Sequence, residues 1–234
     1  MMRTLKTFLL VAALAVLSGC ASTASRTADP RDPIEGFNRG VYAFNKGLDQ
    51  VVLTPVAKGY NYLPSPIRTG IGNFFSNIGD VMTGVNNLLQ GKGARGATDI
   101  MRFAFNSTFG LLGFIDVATP AGLEKSKEDF GQTFGRWGVG TGAYVVLPFF
   151  GPSTVRDTVG LVGDILTDPV FYIDPSATRY QVGGTRIVSR RAEFLDIQDI
   201  IDAAGDDEYA TVRDFYLNRR DAQVRDASVG QFED

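Results

Sequence analysis

The residue with the most definite chemistry is Cys20, the single cysteine of the chain. It follows Leu17-Ser18-Gly19, an arrangement that matches the lipobox read during bacterial lipoprotein processing. The small residues let a peptidase approach the backbone after Gly19, and the thiol of Cys20 then carries covalent lipid. With no second cysteine, no disulfide forms within the chain even in an oxidising compartment. The sequence has no histidine, which removes the commonest general base and the commonest metal ligand. No G-x-S-x-G elbow is present. No constellation of residues nominates a catalytic centre, a cofactor site or a metal site, and the expectation is a protein that is not an enzyme.

The segment before Cys20 accounts for the export that acylation requires. Arg3 and Lys6 precede an apolar run from Phe8 to Leu17, and no acidic residue occurs before Asp29. Ten apolar residues are too few for a helix across a ~30 Å hydrocarbon core, which needs about 20, but they suit a cleavable signal. Residues 1–19 are therefore read as a signal peptide. Ala21 and Ser22 follow, with no Asp after the cysteine, a pattern similar to outer-membrane sorting. A single acyl chain binds a membrane only marginally, whereas two or more hold it stably.

Residues 1–19 hold two of the 23 basic residues and none of the 26 acidic ones, so the mature chain carries a net charge of about −5. That balance argues against nucleic acid as a partner. The charge is unevenly spread. Arg186 to Asp234 contains 19 charged residues in 49, whereas Trp137–Val155 and Phe103–Ile115 contain none. Such a split suits either buried stretches of a soluble domain or a body partly in lipid.

Residues 20–31 are small and polar, a flexible tether. Residues 32–225 form the body, and 226–234 read as a disordered tail. Asp32-Pro33-Ile34-Glu35 predicts a helix start with Asp32 as N-cap, and Phe37, Val41, Phe44, Leu48 and Val51 form one apolar stripe. Thr54-Pro55 ends that helix and can begin a short one. Pro66 to Gln90 is the clearest helix. Ile71, Phe74, Phe75, Ile78, Val81, Met82, Val85, Leu88 and Leu89 share one face, and Gly91 supplies the stop. Its opposite face carries Asn73, Asn77, Thr83 and Asn87 among glycines and serines, with Asp80 as the only charge. Two readings stand: a helix buried in a core of small residues, or one whose Asn73, Asn77, Asp80, Thr83 and Asn87 line an uncharged passage. A helix lying on a lipid surface would be rich in Lys and Arg, and this one is not.

Further helices are expected over the first half of Gly96–Phe114, over Ser126–Arg136, and from a Ser153 cap to about Leu166. A long charged helix is expected over about Ser176–Ala204, with a possible break at Gly183-Gly184 and Gly205 as its stop. A last one, capped by Asp206 or Asp207, ends near Arg225. Strand-like alternation is nearly absent, so the fold reads as mainly α. Gly135 to Arg156 is apolar, rich in glycine, and interrupted by Pro148. A dinucleotide fingerprint would need a helix where Pro148 breaks one. The segment is either a structural loop or a gate hinged at Gly138, Gly140, Gly142 and Pro148.

Several runs in order carry a family resemblance: Asp32-Pro33-Ile34-Glu35-Gly36-Phe37-Asn38-Arg39, Gly113 to Ala118, Phe130 to Gly135, Gly138-Val139-Gly140, Leu147 to Asp157, and Tyr209-Ala210 through Tyr216-Leu217. The chain resembles the MlaA (VacJ) lipoproteins over nearly its whole mature length. The resemblance implies an all-α, ring-like single domain embedded in the inner leaflet of the outer membrane, with an amphipathic channel. It implies diacylglyceryl and N-acyl groups on Cys20, a trimeric porin beside the protein, and a soluble periplasmic lipid carrier feeding an ABC-type transporter. Its substrate would be misplaced phospholipid of the outer leaflet, moved without hydrolysis. A structural lipoprotein that scaffolds porins or envelope assembly is the alternative.

Overall fold

The computed structural model describes residues 29–195 and 207–226. The signal peptide, Gly19, Cys20, residues 20–28 of the tether, the 196–206 segment with its Gly205 stop, and the tail from 227 lie outside the described residues. Asp226, placed with the tail by sequence, makes ion pairs with Lys92 and Arg95. Asp29 and Arg31, placed in the tether, pair with each other and with Arg213 and Asp214.

Among the described residues the chain is helical apart from one two-stranded hairpin. Helix α1 (Glu35–Leu48) continues through a π turn (Asp49–Leu53) into α2 (Thr54–Tyr60). Pro55 sits in the first turn of α2, where a missing N–H costs nothing. The expected Asp32 cap is not made. Ile34 holds the capping position with no side-chain cap, and Asp32 turns inward to 2% exposure. There it accepts from Asn38 Nδ2 at 2.7 Å and from the Tyr209 hydroxyl at 2.5 Å.

Helix α3 (Ser65–Leu89) starts at Ser65-Pro66 and ends before Gly91, whose φ of +79° only glycine adopts freely. Helix α4 (Gly93–Phe109) doubles back along it. The pair touches backbone to backbone: a Cβ on Gly84 would lie 3.1 Å from the Gly96 carbonyl, and one on Gly96 2.9 Å from the Gly84 carbonyl. After α4 the chain passes through left-handed Leu111, Leu112 and Gly113. Asn106 fastens this loop, accepting from Val117 N and Ala118 N at 2.8 and 2.9 Å.

Helix α5 (Phe130–Arg136) is capped by Asp129, which accepts from Gln132 N at 2.8 Å. The stretch expected to be a flexible apolar loop then forms β1 (Tyr144–Leu147) and β2 (Gly151–Thr154), paired antiparallel from Tyr144↔Thr154 to Leu147↔Gly151. Pro148 lies in the connecting turn. The outer edge of β1 is completed by two asparagines of α1, seven residues apart and so two helical turns along one face. Asn38 bonds Val146 N and Tyr144 O, and Asn45 bonds Phe149 N and Leu147 O, all at 2.9–3.0 Å. The amides take the place of a third strand at these four groups, and the Arg31 carbonyl accepts from Tyr144 N at 2.8 Å on the same edge.

Helix α6 (Val155–Thr167) is capped by Thr154, one residue beyond the expected Ser153, through a 3.1 Å bond from Asp157 N. A 3₁₀ turn (Pro169–Tyr172) leads to α7 (Ser176–Glu193), which runs through Gly183-Gly184 without a break. Asp207 caps α8 (Glu208–Val224). Among the described residues the buried apolar residues that cluster are few: Tyr144, Val146, Tyr209 and Leu217. Most of the buried interior is polar or charged, with Arg102, Asn38, Asn86, Asn87, Asp80 and Asp99 all at most 1% exposed.

Candidate functional site

The polar face of α3 points into the protein, its apolar stripe is half-buried with Phe75 fully so, and the apolar residues near its two ends are exposed. Asn77, Asp80, Thr83, Gly84, Asn86 and Asn87 are buried, while Ile67, Leu88 and Leu89 are exposed. The same inversion recurs elsewhere. Of the stripe expected along α1, Phe37 and Phe44, with Val51 in the π turn that follows, face outward while Val41 packs on the core, and the fully buried residue of α1 is Asn38. On α6, Val155, Val159, Val162 and Leu166 form an outward stripe at helical spacing, opposite buried Arg156, Asp157 and Gly160. On α4 and its loop, Phe105, Phe109, Leu111 and Leu112 are exposed above buried Asp99, Arg102 and Asn106. Single exposed apolar residues are ordinary, but contiguous outward stripes over a polar interior are not.

The interior opens into a cavity of ≈ 540 Å³ between α3, α7 and the 125–127 segment. Of the residues nominated from the sequence, Asn73, Asp80 and Thr83 border it. Asn77 and Asn87 do not. Asn77 donates to Ser107 Oγ at 2.9 Å and tightens the α3–α4 contact. Asn87 donates to Asp99 Oδ2 and Ser126 Oγ at 2.7 and 2.9 Å. Gly138, Gly140, Gly142 and Pro148 also lie away from the cavity, on an exposed loop and in the hairpin turn. The structure therefore does not bring the Gly-rich segment and the α3 cavity face together.

Asp80 is the deepest charge on the cavity wall, 1% exposed. It receives the Lys125 ammonium, and Arg102 Nε stands 3.5 Å from its second oxygen. That oxygen makes no hydrogen bond, and neither do the Oδ1 atoms of Asn77, Asn87 and Asp99 or Arg102 Nε. Burial raises the Asp80 carboxyl above the usual range even against the pull of Lys125 and Arg102. Around it, among the described residues, the cavity wall carries Arg68, Lys125, Lys127, Arg186 and Arg190 against Asp80 and Glu193. A positive wall in a chain of net charge −3 is a local concentration of charge. Sequence reading missed it because Arg186 and Arg190 sit in a charged segment that resembles any solvated helix face.

Beside the cavity, a groove of ≈ 320 Å³ is lined almost wholly by apolar atoms from Ile71, Phe74, Phe75, Phe114 and Val182. Phe75 borders both spaces. The Arg186 guanidinium, which pairs with Asp168, lies 5.8 Å over the Phe75 ring. Among the described residues no helix is long and apolar enough to cross a membrane.

A second polar centre ties α5, α6 and α8 together. Arg220 bonds both oxygens of Asp157 at 3.0–3.1 Å and both oxygens of Asp129 at 2.7–2.9 Å. Tyr216 and Arg156 add bonds to Asp157 at 3.0 Å. Burial would raise both carboxyls, but the bonds from Arg220 outweigh it and hold them below the usual range.

The family profile of the MlaA lipoproteins matches residues 30–223. The chain belongs to the MlaA lipoprotein family. It is 37% identical over 213 residues to the intermembrane phospholipid transport system lipoprotein MlaA of Shigella flexneri, covering 88% of this chain and 83% of that one. Against the Escherichia coli K12 protein of the same name the identity is 36% with the same coverage. Against that of Haemophilus influenzae it is 32% over 223 residues, covering 91% and 88%. A chain solved in a study of the structural basis for maintenance of bacterial outer membrane lipid asymmetry superposes with a TM-score of 0.71. It shares 38% identity, and the match covers 82% of this chain and 98% of that chain. The mainly α reading of the sequence agrees with this helical MlaA fold.

Proposed function

We propose that this chain is an outer-membrane lipoprotein that removes misplaced phospholipid from the outer leaflet and passes it to a soluble periplasmic carrier, so keeping the two leaflets different. The observation that carries this reading is the inverted polarity: outward apolar stripes on α1, α4 and α6 around a polar, cavity-bearing interior. A body of this kind is suited to lipid around it and to water and head groups within it, because buried polar groups need partners that hydrocarbon cannot give. The names of the relatives from S. flexneri and E. coli point the same way. In this reading Cys20 carries diacylglyceryl and N-acyl groups and holds the protein on the periplasmic side of the outer membrane. A trimeric porin sits beside it, and an ABC-type system draws lipid from the carrier. The protein lowers a path for lipid and cleaves no bond.

The test is the phospholipid content of the outer leaflet in cells with and without the gene. Accumulation on deletion, reversed by the intact gene, is the expected result. An unchanged outer leaflet, with porin assembly disturbed instead, would replace this reading with a scaffolding lipoprotein.

A further inference from the structure

Asp99 is fully buried where α4 meets α3, and no ion pair reaches it among the described residues. Its neighbours are served: Lys125 pairs with Asp80, and Arg102 with Asp116 at 3.1 Å and Asp80 at 3.5 Å. Two cations thus face three carboxylates, and the cluster is one positive charge short. The bonding is short in the same direction. Asn87 Nδ2 and Ser126 Oγ both donate to Asp99 Oδ2 at 2.7 Å, while Asp99 Oδ1 and Asn87 Oδ1 are buried without a hydrogen bond. The unpartnered donor nearby, Arg102 Nε, faces Asp80 Oδ2 and needs only a small shift to serve it. Asp99 is also rooted where the two helices touch, since a Cβ on Gly84 would lie 3.4 Å from its own Cβ. Water would fill the two missing bonds and leave the charge. Buried charges are paired or coordinate metal ions.

We propose that Asp99 Oδ1 and Asn87 Oδ1 bind an alkali-metal cation, with water from the cavity completing its shell. Carboxylate, amide and water oxygens are hard ligands and suit a hard cation. The charge count selects a monovalent ion. One positive charge balances the cluster, whereas a divalent ion would add an excess that Lys125 and Arg102 repel. Ser126 bonds both ligand residues and also borders the cavity, so the ion enters from that side. Once bound, it ties α3 to α4 beside the Gly84–Gly96 contact. The site goes beyond the lipid-transfer reading, and its test does not depend on that reading.

The test is thermal unfolding of the full lipidated chain in detergent micelles. Sodium, potassium and choline chloride are compared at equal ionic strength, with divalent ions chelated. At about ten times its dissociation constant, an alkali ion should raise the unfolding midpoint by about 3–6 °C over choline. Asp99→Asn removes the charge and puts a donor where the free oxygen stands. This variant should match or exceed the parent in choline and gain nothing from either alkali salt. Crystals soaked in thallous ion, an alkali-metal stand-in with strong anomalous scattering, should show a peak between Asp99 and Asn87, and that readout needs no variant. Equal midpoints of the parent in choline and in both alkali salts would overturn the proposal and leave water at these oxygens. So would an alkali gain kept by Asp99→Asn, or thallous crystals without the peak. Calcium, added without chelator at far lower concentration, should add nothing; a rise larger than that from sodium would overturn the choice of a monovalent ion.

Discussion

Asp32 accepts the Tyr209 hydroxyl at 2.5 Å across 177 residues of chain, in a site where its carboxylate is fully buried. The bond joins the segment before α1 to the first turn of α8, beside the Tyr144 ring that packs at 6.3 Å from Tyr209. Tyr209→Phe removes the donor and leaves a buried acceptor short of a bond. The expected loss is about 1–3 kcal/mol of unfolding free energy, measured by chemical unfolding in detergent. A loss within error of zero would mean that Asn38 and Arg213 already satisfy Asp32.

Arg220→Met tests the second polar centre. It strips the main counter-charge from Asp129 and Asp157, and removing one side of a buried ionic group costs about 3–5 kcal/mol at neutral pH. The pH dependence should also change sign. In the parent both carboxyls are held low, so their contribution is present above the normal carboxylate range and is lost as pH falls through their folded values. In the variant, burial dominates and the carboxyls rise, so acidification towards pH 4 should restore stability. Unfolding curves at pH 7.5 and 4.5 separate the two behaviours.

Asp164 shows the opposite effect within the parent protein. Burial and the nearby Asp129 and Asp157 push it up to about 6, although the Phe130 amide donates to it at 3.1 Å. A raised carboxyl stabilises below its unfolded value, and that help is lost as pH rises through about 6. Asp164→Asn keeps an acceptor for the amide and removes the charge. It should stabilise the protein by about 1 kcal/mol at pH 7.5, allowing for partial exposure of the group, and by nothing near pH 4. Thermal unfolding at the two pH values checks this, and an equal gain at both would point to packing instead.

Gly160→Ala probes the contact of α5 with α6. The added Cβ would come within 2.4 Å of the Gly131 nitrogen and 2.7 Å of its Cα. Backbone cannot swing aside as a side chain can, so the helices must separate at a cost of about 1–3 kcal/mol. Gly79→Ala on α3, where nothing lies within 4 Å of the new Cβ, is the control and should be neutral or slightly stabilising through helix propensity. Equal unfolding midpoints for both variants would refute the close-contact account.

How much of this was legible beforehand depended on the kind of signal. The 3.6-residue period of Ile71 to Leu89, the Ser65-Pro66 start and the Gly91 stop placed α3 within a residue of its ends. Period alone says which face is apolar, not which medium it meets, so the burial of Asn77, Asn86 and Asn87 stayed open until the fold was known. The hairpin was hidden because Gly151-Pro152-Ser153-Thr154 has none of the alternation of a strand; it is held by pairing and by two asparagines more than a hundred residues away. Asp32 shows the converse case. Its capping signature was genuine as a local pattern, but the long-range bond from Tyr209 drew the carboxylate inward. The basic cavity wall needs α3, α7 and the 125–127 segment together, and no window of sequence contains all three.

The outward stripe of Val155, Val159, Val162 and Leu166 also bears on how such a protein is made. A domain with oily flanks is at ease only at its destination. In transit through water, the same flanks attract one another, and association competes with delivery. Such flanks favour association between copies for as long as the folded body stays in free solution. Whatever meets these flanks first, lipid or another copy, then decides whether the folded body stays single.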